Sequence, residues 1–435
     1  MKPIFTLLRY LLPLWLLAAA ACHKADPTPA PPPLTTSITL ANPVVQNDTT
    51  AALSWTLLNN PDFVRYYLVR REDPTEQGYR IYYSPTISSG AYTDKAVPHN
   101  DYVEYQVFGE LASGQLIASN IVTYKRPNIK AVTAGIFHVL FEEQSRTLLF
   151  FTDKGTLTQV DVASGQVRQT LELGPVGYAS FGTYRGVKEL YVPGTDGQIR
   201  IYNAATLAKI DEITTGGYYL NEVLATGSLL YVCSRYSSPI SQLAVFDRAS
   251  KQLLTKTGAV MFFSCRMYGL PTVPNSFIGV TLDVAPTDQS TYDFTAKGEF
   301  IRSTPDQYHG DYPLDGLLFA FFPAGDRYLT GRGGGIYSQR MTYLASLDGG
   351  KSAFTCFGFD AAAGTIYAGS TKPLVKLYDL ATYAPLRQQK LPLYPFKLFK
   401  DPAGGFVLLG LRNAVENYFY GSSIGPAKIY IDHLD

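Results

Sequence analysis

The chain has 435 residues and carries 37 lysines and arginines against 36 aspartates and glutamates, so no excess of basic side chains exists to hold a phosphate backbone and nucleic acid is excluded as a partner. Thirteen per cent aromatic residues and 37 glycines, with few long runs of alanine, leucine, glutamate and lysine, direct the chain toward an all-β fold. The length suits two or three domains, and four widely spaced cysteines form neither a disulfide framework nor a zinc pattern.

Lys2 and Arg9 precede an apolar run from Tyr10 to Ala21, the order of charge, apolar stretch and small residues found in signal peptides. A spanning helix needs roughly 20 apolar residues, so this run is too short for a permanent anchor. Ala19-Ala20-Ala21 directly before Cys22 resembles a bacterial lipobox, with Ala19 where leucine is usual. The resemblance implies that residues 1–21 are removed and that Cys22 carries the lipid and becomes the new N-terminus. Removal takes Lys2 and Arg9 from the 37 basic side chains and leaves 35 against 36 acidic ones. His23 follows the cysteine where an aspartate would imply inner-membrane retention, so the resemblance places the chain at the outer membrane. Residues 22–35, including Asp26-Pro27-Thr28-Pro29-Ala30-Pro31-Pro32-Pro33, form an extended, stiff linker that lets a domain stand off a bilayer.

Residues 36–126 show period-two alternation. Leu53, Trp55 and Leu57 share one face of a strand; further strands are expected at Tyr66–Arg71, Tyr92–Asp94, Tyr102–Phe108 and Ile117–Tyr124. Short alternating runs over about 90 residues fit a small antiparallel sandwich. The Leu53-Ser54-Trp55 phrase, the run from Asp62 to Arg70, and Tyr92-Thr93-Asp94 through Val97-Pro98 to Tyr105-Gln106-Val107 resemble a fibronectin type III domain. The resemblance implies that Trp55 anchors the core, that Tyr102 makes the corner hydrogen bond, and that the domain serves as spacer or adhesion module.

Residues 127–435 repeat a short phrase: Val160-Asp161-Val162-Ala163-Ser164, Tyr202-Asn203-Ala204-Ala205-Thr206, Phe246-Asp247-Arg248-Ala249-Ser250 and Tyr378-Asp379-Leu380-Ala381-Thr382. An Asp or Asn ends an apolar strand and a hydroxyl residue follows three places on, which marks capped hairpin turns rather than chemistry. The spacings are 42, 44 and 132, the last being three times 44. Weaker copies stand at Tyr292-Asp293, Leu347-Asp348 and Ile431-Asp432. Seven units of roughly 44 residues are the length of four-stranded propeller blades. In the first unit the strands are expected at His138–Glu142, Thr147–Thr152, Thr156–Val162 and Gln166–Leu173. The last unit ends one strand short, and Ile129–Ala134 is a spare strand able to complete it. The repeat phrase resembles the YVTN-type seven-bladed β-propellers, a superfamily that includes lactonase-like members, and it specifies fold rather than activity.

Cys233, Cys265 and Cys356 each sit in an apolar stretch and read as small buried strand residues, with pairing of Cys233 and Cys265 left open. Long loops after the second strands, with the connection 303–316, are expected on one face of the repeat domain and carry Arg235, Tyr236, Asp306, Tyr308, His309, Asp311, Tyr312, Arg332, Tyr337, Arg340, Arg412, Glu416, Tyr418 and Tyr420. Tyrosine, arginine and carboxylate together make a recognition surface. His138, His309 and His433 form no pair at metal-ligand spacing, so neither a metal nor another cofactor is expected. No Gly-x-Ser-x-Gly elbow occurs, and Gly333-Gly334-Gly335 lack the lysine of a phosphate loop. The expected function is therefore a lipid-anchored binding or scaffold protein of the cell envelope that engages a protein, peptide or glycan. The alternative is a lactonase- or lyase-like propeller enzyme with carboxylates at its central channel.

Overall fold

The computed structural model describes residues 34–47, 49–74, 77–126, 129–133, 135–216, 219–234, 243–257, 264–282, 284–414 and 428–435. Cys22, Arg235, Tyr236, Glu416, Tyr418 and Tyr420 lie outside the described residues. The fold is all-β, and its sheets are antiparallel throughout. Among the described residues no helix is long and apolar enough to cross a membrane. Two compact units divide the chain: one comprises residues up to Lys95 with Glu104–Thr123, the other Ala96–Val103 with Tyr124–Asp435. The sequence reading placed 96–103 with the first domain. Side-chain bonding explains their membership of the second: Tyr430 donates to Asn100 at 2.8 Å, Lys428 to Asp101 at 2.8 Å, and Arg126 to the Pro98 carbonyl at 3.1 Å.

In the first unit a three-stranded sheet pairs Val44–Asn47, Thr50–Ser54 and Ala91–Asp94. A five-stranded sheet runs Tyr79–Ser84, Phe63–Arg71, Val103–Leu111 and Leu116–Ala118, with Val122–Tyr124 also on Val103–Leu111. Residues of Val103–Leu111 alternate strictly between buried and half-buried, the mark of a strand with one face on a core. Trp55 is buried and meets Tyr66 edge-on at 5.9 Å. The expected Leu53-Trp55-Leu57 stripe breaks after Trp55, because the strand ends at Ser54; Leu57 is exposed and Leu58 fills the core instead. The wholly buried tyrosine of the later strand is Tyr105, not Tyr102. Its hydroxyl donates to Asp94 at 2.9 Å, and Arg70 completes that buried cluster at 2.9 Å.

The second unit contains seven four-stranded sheets. Six are formed from four strands consecutive in the chain, spanning 136–172, 180–214, 220–257, 265–305, 319–346 and 354–390. The seventh joins Tyr394–Lys400, Phe406–Leu411 and Lys428–Leu434 to Lys130–Thr133, which pairs antiparallel with Lys428–Leu434. The spare strand read from the sequence thus completes the last sheet.

Burial follows strand order within each sheet. Second strands such as Thr147–Thr152, Thr365–Ser370 and Phe406–Leu411 are buried at every residue. Fourth strands such as Val167–Glu172 and Pro385–Lys390 are largely exposed. A strand covered on both faces needs apolar residues at both parities, which is why TLLFFT and FVLLGL show no alternation. Leu149 and Phe151 share a core with Leu190 and Val192 of the second sheet, while Leu148 and Phe150 face the other way, onto Val407 and Leu409 of the seventh. The same sharing links Ile201 to Val223, Tyr231 to Cys265, and Val280 to Tyr328. It continues from Ile336 to Phe354 and from Tyr367 to Leu408. The Sγ atoms of Cys233 and Cys265, buried free thiols of the third and fourth sheets, are 3.1 Å apart.

The repeat phrase caps turns as its chemistry requires. Asp161 accepts from the Ser164 amide at 2.7 Å and its hydroxyl at 2.8 Å. Asp247 and Asp379 repeat the pattern with Ser250 and Thr382, and Asn203 accepts from the amides of Ala205 and Thr206. The weaker copies depart from it. Asp293 bonds across its sheet to Ser276 and Arg302, and Asp348 follows a fourth strand rather than a third. In that sheet Ser338 caps the third-strand turn, receiving the amides of Arg340 and Thr342. Gly155, in the first Asp-Lys-Gly turn, has φ +84°, and a Cβ there would meet the Gly174 carbonyl at 1.9 Å.

Val132, on the strand that completes the seventh sheet, is 9% exposed and belongs to the core shared by the first and seventh sheets. Val132→Asp buries an unpaired carboxylate there and is expected to cost roughly 3 kcal/mol in urea unfolding. Val167→Asp, at a position 56% exposed, should leave the midpoint nearly unchanged.

Candidate functional site

In the second unit, four of the seven first strands carry a bulge. Register slips between Ile136 and His138, Leu220 and Glu222, Phe354 and Cys356, and Pro395 and Lys397. Each slip leaves one unpaired residue and is followed at once by a residue with chemistry to offer: His138, Glu222, Cys356 or Lys397. Bulges bend a strand and re-aim its side chains, and they gather at sites. Two of the bulged residues also tie neighbouring strands. Asn221 donates to the Cys265 carbonyl at 2.6 Å and Thr355 to the Pro395 carbonyl at 2.6 Å.

Three of these strands, those of His138, Cys356 and Lys397, border a cavity of about 320 Å³, and Glu222 reaches it only through Arg266. His138, Arg266, Cys356 and Lys397 supply its polar lining; Phe137, Tyr268, Phe319, Phe357 and Phe399 supply aromatic walls. The lining comes from the first, fourth, fifth, sixth and seventh sheets. Lys397 reaches across to donate to the Leu317 carbonyl, just ahead of the fifth sheet, at 3.0 Å. His138 Nε2 donates to the Ala179 carbonyl at 2.9 Å, which leaves Nδ1 as an acceptor in the neutral ring. Arg266 donates through Nε to Glu222 at 3.0 Å, and the second Glu222 oxygen accepts the Met267 amide at 2.5 Å. The Arg266 guanidinium lies 4.1 Å from the Tyr178 ring centroid, and Tyr268 stacks on Phe319 with centroids 4.0 Å apart.

Burial and neighbouring charge set the protonation states. His138 is held well below the usual imidazole range by burial, and then by Arg266 and Lys397. Burial also lowers the Lys397 ammonium, with Arg266 adding repulsion. Burial raises Glu222 to about 7, against the pull of Arg266. Burial likewise pushes the Cys356 thiol up to about 12, so it is a protonated thiol and not a nucleophile. Among the described residues that line this cavity none is a carboxylate, and Glu222 stands behind the lining on Arg266.

The residues expected on a loop face are dispersed. Tyr308, Tyr312 and Tyr337 do come together, but as packing: Tyr312 stacks on Tyr343 at 3.6 Å and Tyr337 donates to the Tyr312 carbonyl at 3.0 Å. Tyr337 lies inside the strand Gly335–Ser338 and is wholly buried, which corrects its place on an open loop. The expected 332–340 loop is in fact two turns at opposite ends of that strand. Arg332 and Arg340 therefore do not share a face, and Arg340 joins a groove with Asp293 and Arg302. Asp306 bonds to Gln289 and to the Tyr308 amide. His309 and Asp311 are exposed, His309 resting 3.0 Å from Asp288. Arg412 is half-buried beside the end of Phe406–Leu411. Arg266, Lys397 and Glu222 are not among the residues expected from the sequence, though a charged residue inside each short apolar run (CRMYG, YPFKLFK, LNEVLAT) was the available signal.

Glu222 makes the site sensitive to pH. Its folded pKa lies above the unfolded value, so its protonation stabilises the fold fully below about 4.5 and this contribution is lost as pH rises through about 7. Relative to Glu222→Gln, which keeps the side-chain shape, the wild type should be favoured more at pH 5 than at pH 8 in urea unfolding. Equal differences at the two pH values would place the titration elsewhere.

No protein-family profile matches the chain, and no curated protein matches it significantly.

Proposed function

We propose that this chain is a lipid-anchored, cell-envelope binding protein in which a fibronectin type III-like spacer carries a seven-bladed β-propeller. The support for the ring is the continuity of its cores: every sheet shares one with the next, and the seventh shares one with the first. Completion of the last sheet by Lys130–Thr133 accords with the same reading, because it joins both ends of the repeat domain in one sheet. Arg146 adds an ion pair to Asp401 at 2.5 Å between the first and seventh sheets. The sandwich reading rests on two sheets of three and five strands packed through Trp55 and Tyr66.

Anchoring at Cys22 and placement at the outer membrane rest on the signal-peptide order and the residues around the cysteine. Recognition is favoured over catalysis by the character of the centre. A lactonase- or lyase-like site would need carboxylates there, and the cavity lining offers Arg266 and Lys397 instead. The partner is a protein, peptide or glycan, and exposed His309 and Asp311 are residues of the expected loop set that remain free to meet it.

Fractionation of bacteria that express the full chain tests the anchor. The wild type should sediment with membranes and Cys22→Ser should be exported but soluble. Membrane retention of Cys22→Ser removes the lipid, and cytoplasmic wild type removes export. On peptide and glycan arrays the purified protein should retain partners without turning them over; turnover would restore the enzyme reading.

A further inference from the structure

We propose that the cavity among the innermost strands binds a small organic carboxylate with a flat apolar body, its acid group held by Lys397 and the Arg266 guanidinium. The inference deepens the binding reading above and is independent of the lipid anchor. Two cations border this cavity, and neither is fully satisfied by the protein. Lys397 has three donors and, among the described residues, one hydrogen bond, to a carbonyl, and no ion pair. Arg266 engages Glu222 through Nε alone, and among the described residues its two terminal nitrogens make no hydrogen bond. Both side chains are largely withdrawn from solvent and line the cavity.

Like charges held close in a dry site repel, and a carboxylate between them offsets that cost. The bulge before Lys397 matters here. It aims the ammonium across the centre to Leu317 rather than into the core between the sixth and seventh sheets. Glu222, raised to about 7 by burial, offsets Arg266 in part, and Asp315 faces Lys397 from the adjoining pocket without pairing with it. Planar guanidinium and flexible ammonium together suit a carboxylate's two oxygens.

The walls select the rest of the ligand. Tyr268 and Phe319 are stacked nearly parallel, at 9°, and Phe137, Phe357 and Phe399 close the other sides. Inorganic phosphate or acetate would leave these surfaces uncovered, whereas an aryl or branched acid fills them. About 320 Å³ admits a ligand of roughly ten non-hydrogen atoms.

Titration calorimetry at pH 7 on the soluble Cys22→Ser chain tests this, with phenylacetate as probe. Phenylacetate should bind, with phenylacetamide, acetate and inorganic phosphate each weaker by about tenfold or more. Lys397→Met, which keeps the stem and removes the charge, should weaken phenylacetate by about tenfold while thermal unfolding confirms a folded protein; Lys397→Arg should retain it. Equal binding of acid and amide overturns the inference, as does phosphate binding as tight as phenylacetate. Wild-type affinity in folded Lys397→Met, or no binding at millimolar phenylacetate, overturns it as well. If the arrays still retain a peptide or glycan, the binding reading survives that failure; turnover on them removes that reading regardless of phenylacetate.

Discussion

A four-stranded sheet whose second strand carries apolar residues on both faces cannot stand with one face in water. Thr147–Thr152 presents Leu149 and Phe151 to one side and Leu148 and Phe150 to the other, so two further sheets must cover it. At about 25 cal/mol per Å² of apolar surface, leaving either face open would forfeit several kilocalories per sheet. The whole repeat unit depends on this two-sided demand. It forces sheets to stack in sequence, and it gives the first and last sheets the same need for a partner that each satisfies with the other. The exposed fourth strands are where the demand stops, and there the sequence turns polar, as in Val167–Glu172 and Pro385–Lys390.

Polar groups are confined by the same stacking to two places. At the strand ends they are capped or paired across sheets: Arg248 forks onto Glu189 at 2.9 Å, and Lys188 meets Glu142 at 2.9 Å. Buried pairs of this sort cost desolvation, and they specify which sheet edge meets which more than they add net stability. The other place is the cavity bordered by first strands of several sheets, which is lined by Arg266, Lys397 and His138, with Glu222 bonded to Arg266 behind it. The protein tolerates these charges because backbone carbonyls, aromatic faces and one carboxylate meet some of their needs. The needs left over are what give the cavity its chemical character.

Hairpin chemistry was the most legible layer. Asp161, Asn203, Asp247 and Asp379 announce their turns because the bond each makes lies within three residues of itself. Where the turn changed, as at Ser338, the phrase moved to Asp348 and misled, since local capping can be supplied by more than one residue type. Tyr337 misled for a different reason. Gly333-Gly334-Gly335 and the polar residues Ser338 to Arg340 look like a loop, yet a four-residue strand with Tyr328 and Tyr343 as aromatic neighbours crosses the gap.

Composition, period and turn residues by themselves determined the class of fold, the number of repeated units and the strand that completes the last sheet, because each is a property of short stretches and their spacing. Tertiary structure alone decided that His138, Glu222, Arg266 and Lys397 belong together and that the tyrosines of the 306–312 segment are packing. Those residues come from strands that lie up to 259 positions apart in the sequence, and only bulges and cross-sheet hydrogen bonds bring their side chains to one place. No local pattern encodes such a meeting, since each residue obeys its own strand until the sheets assemble around it.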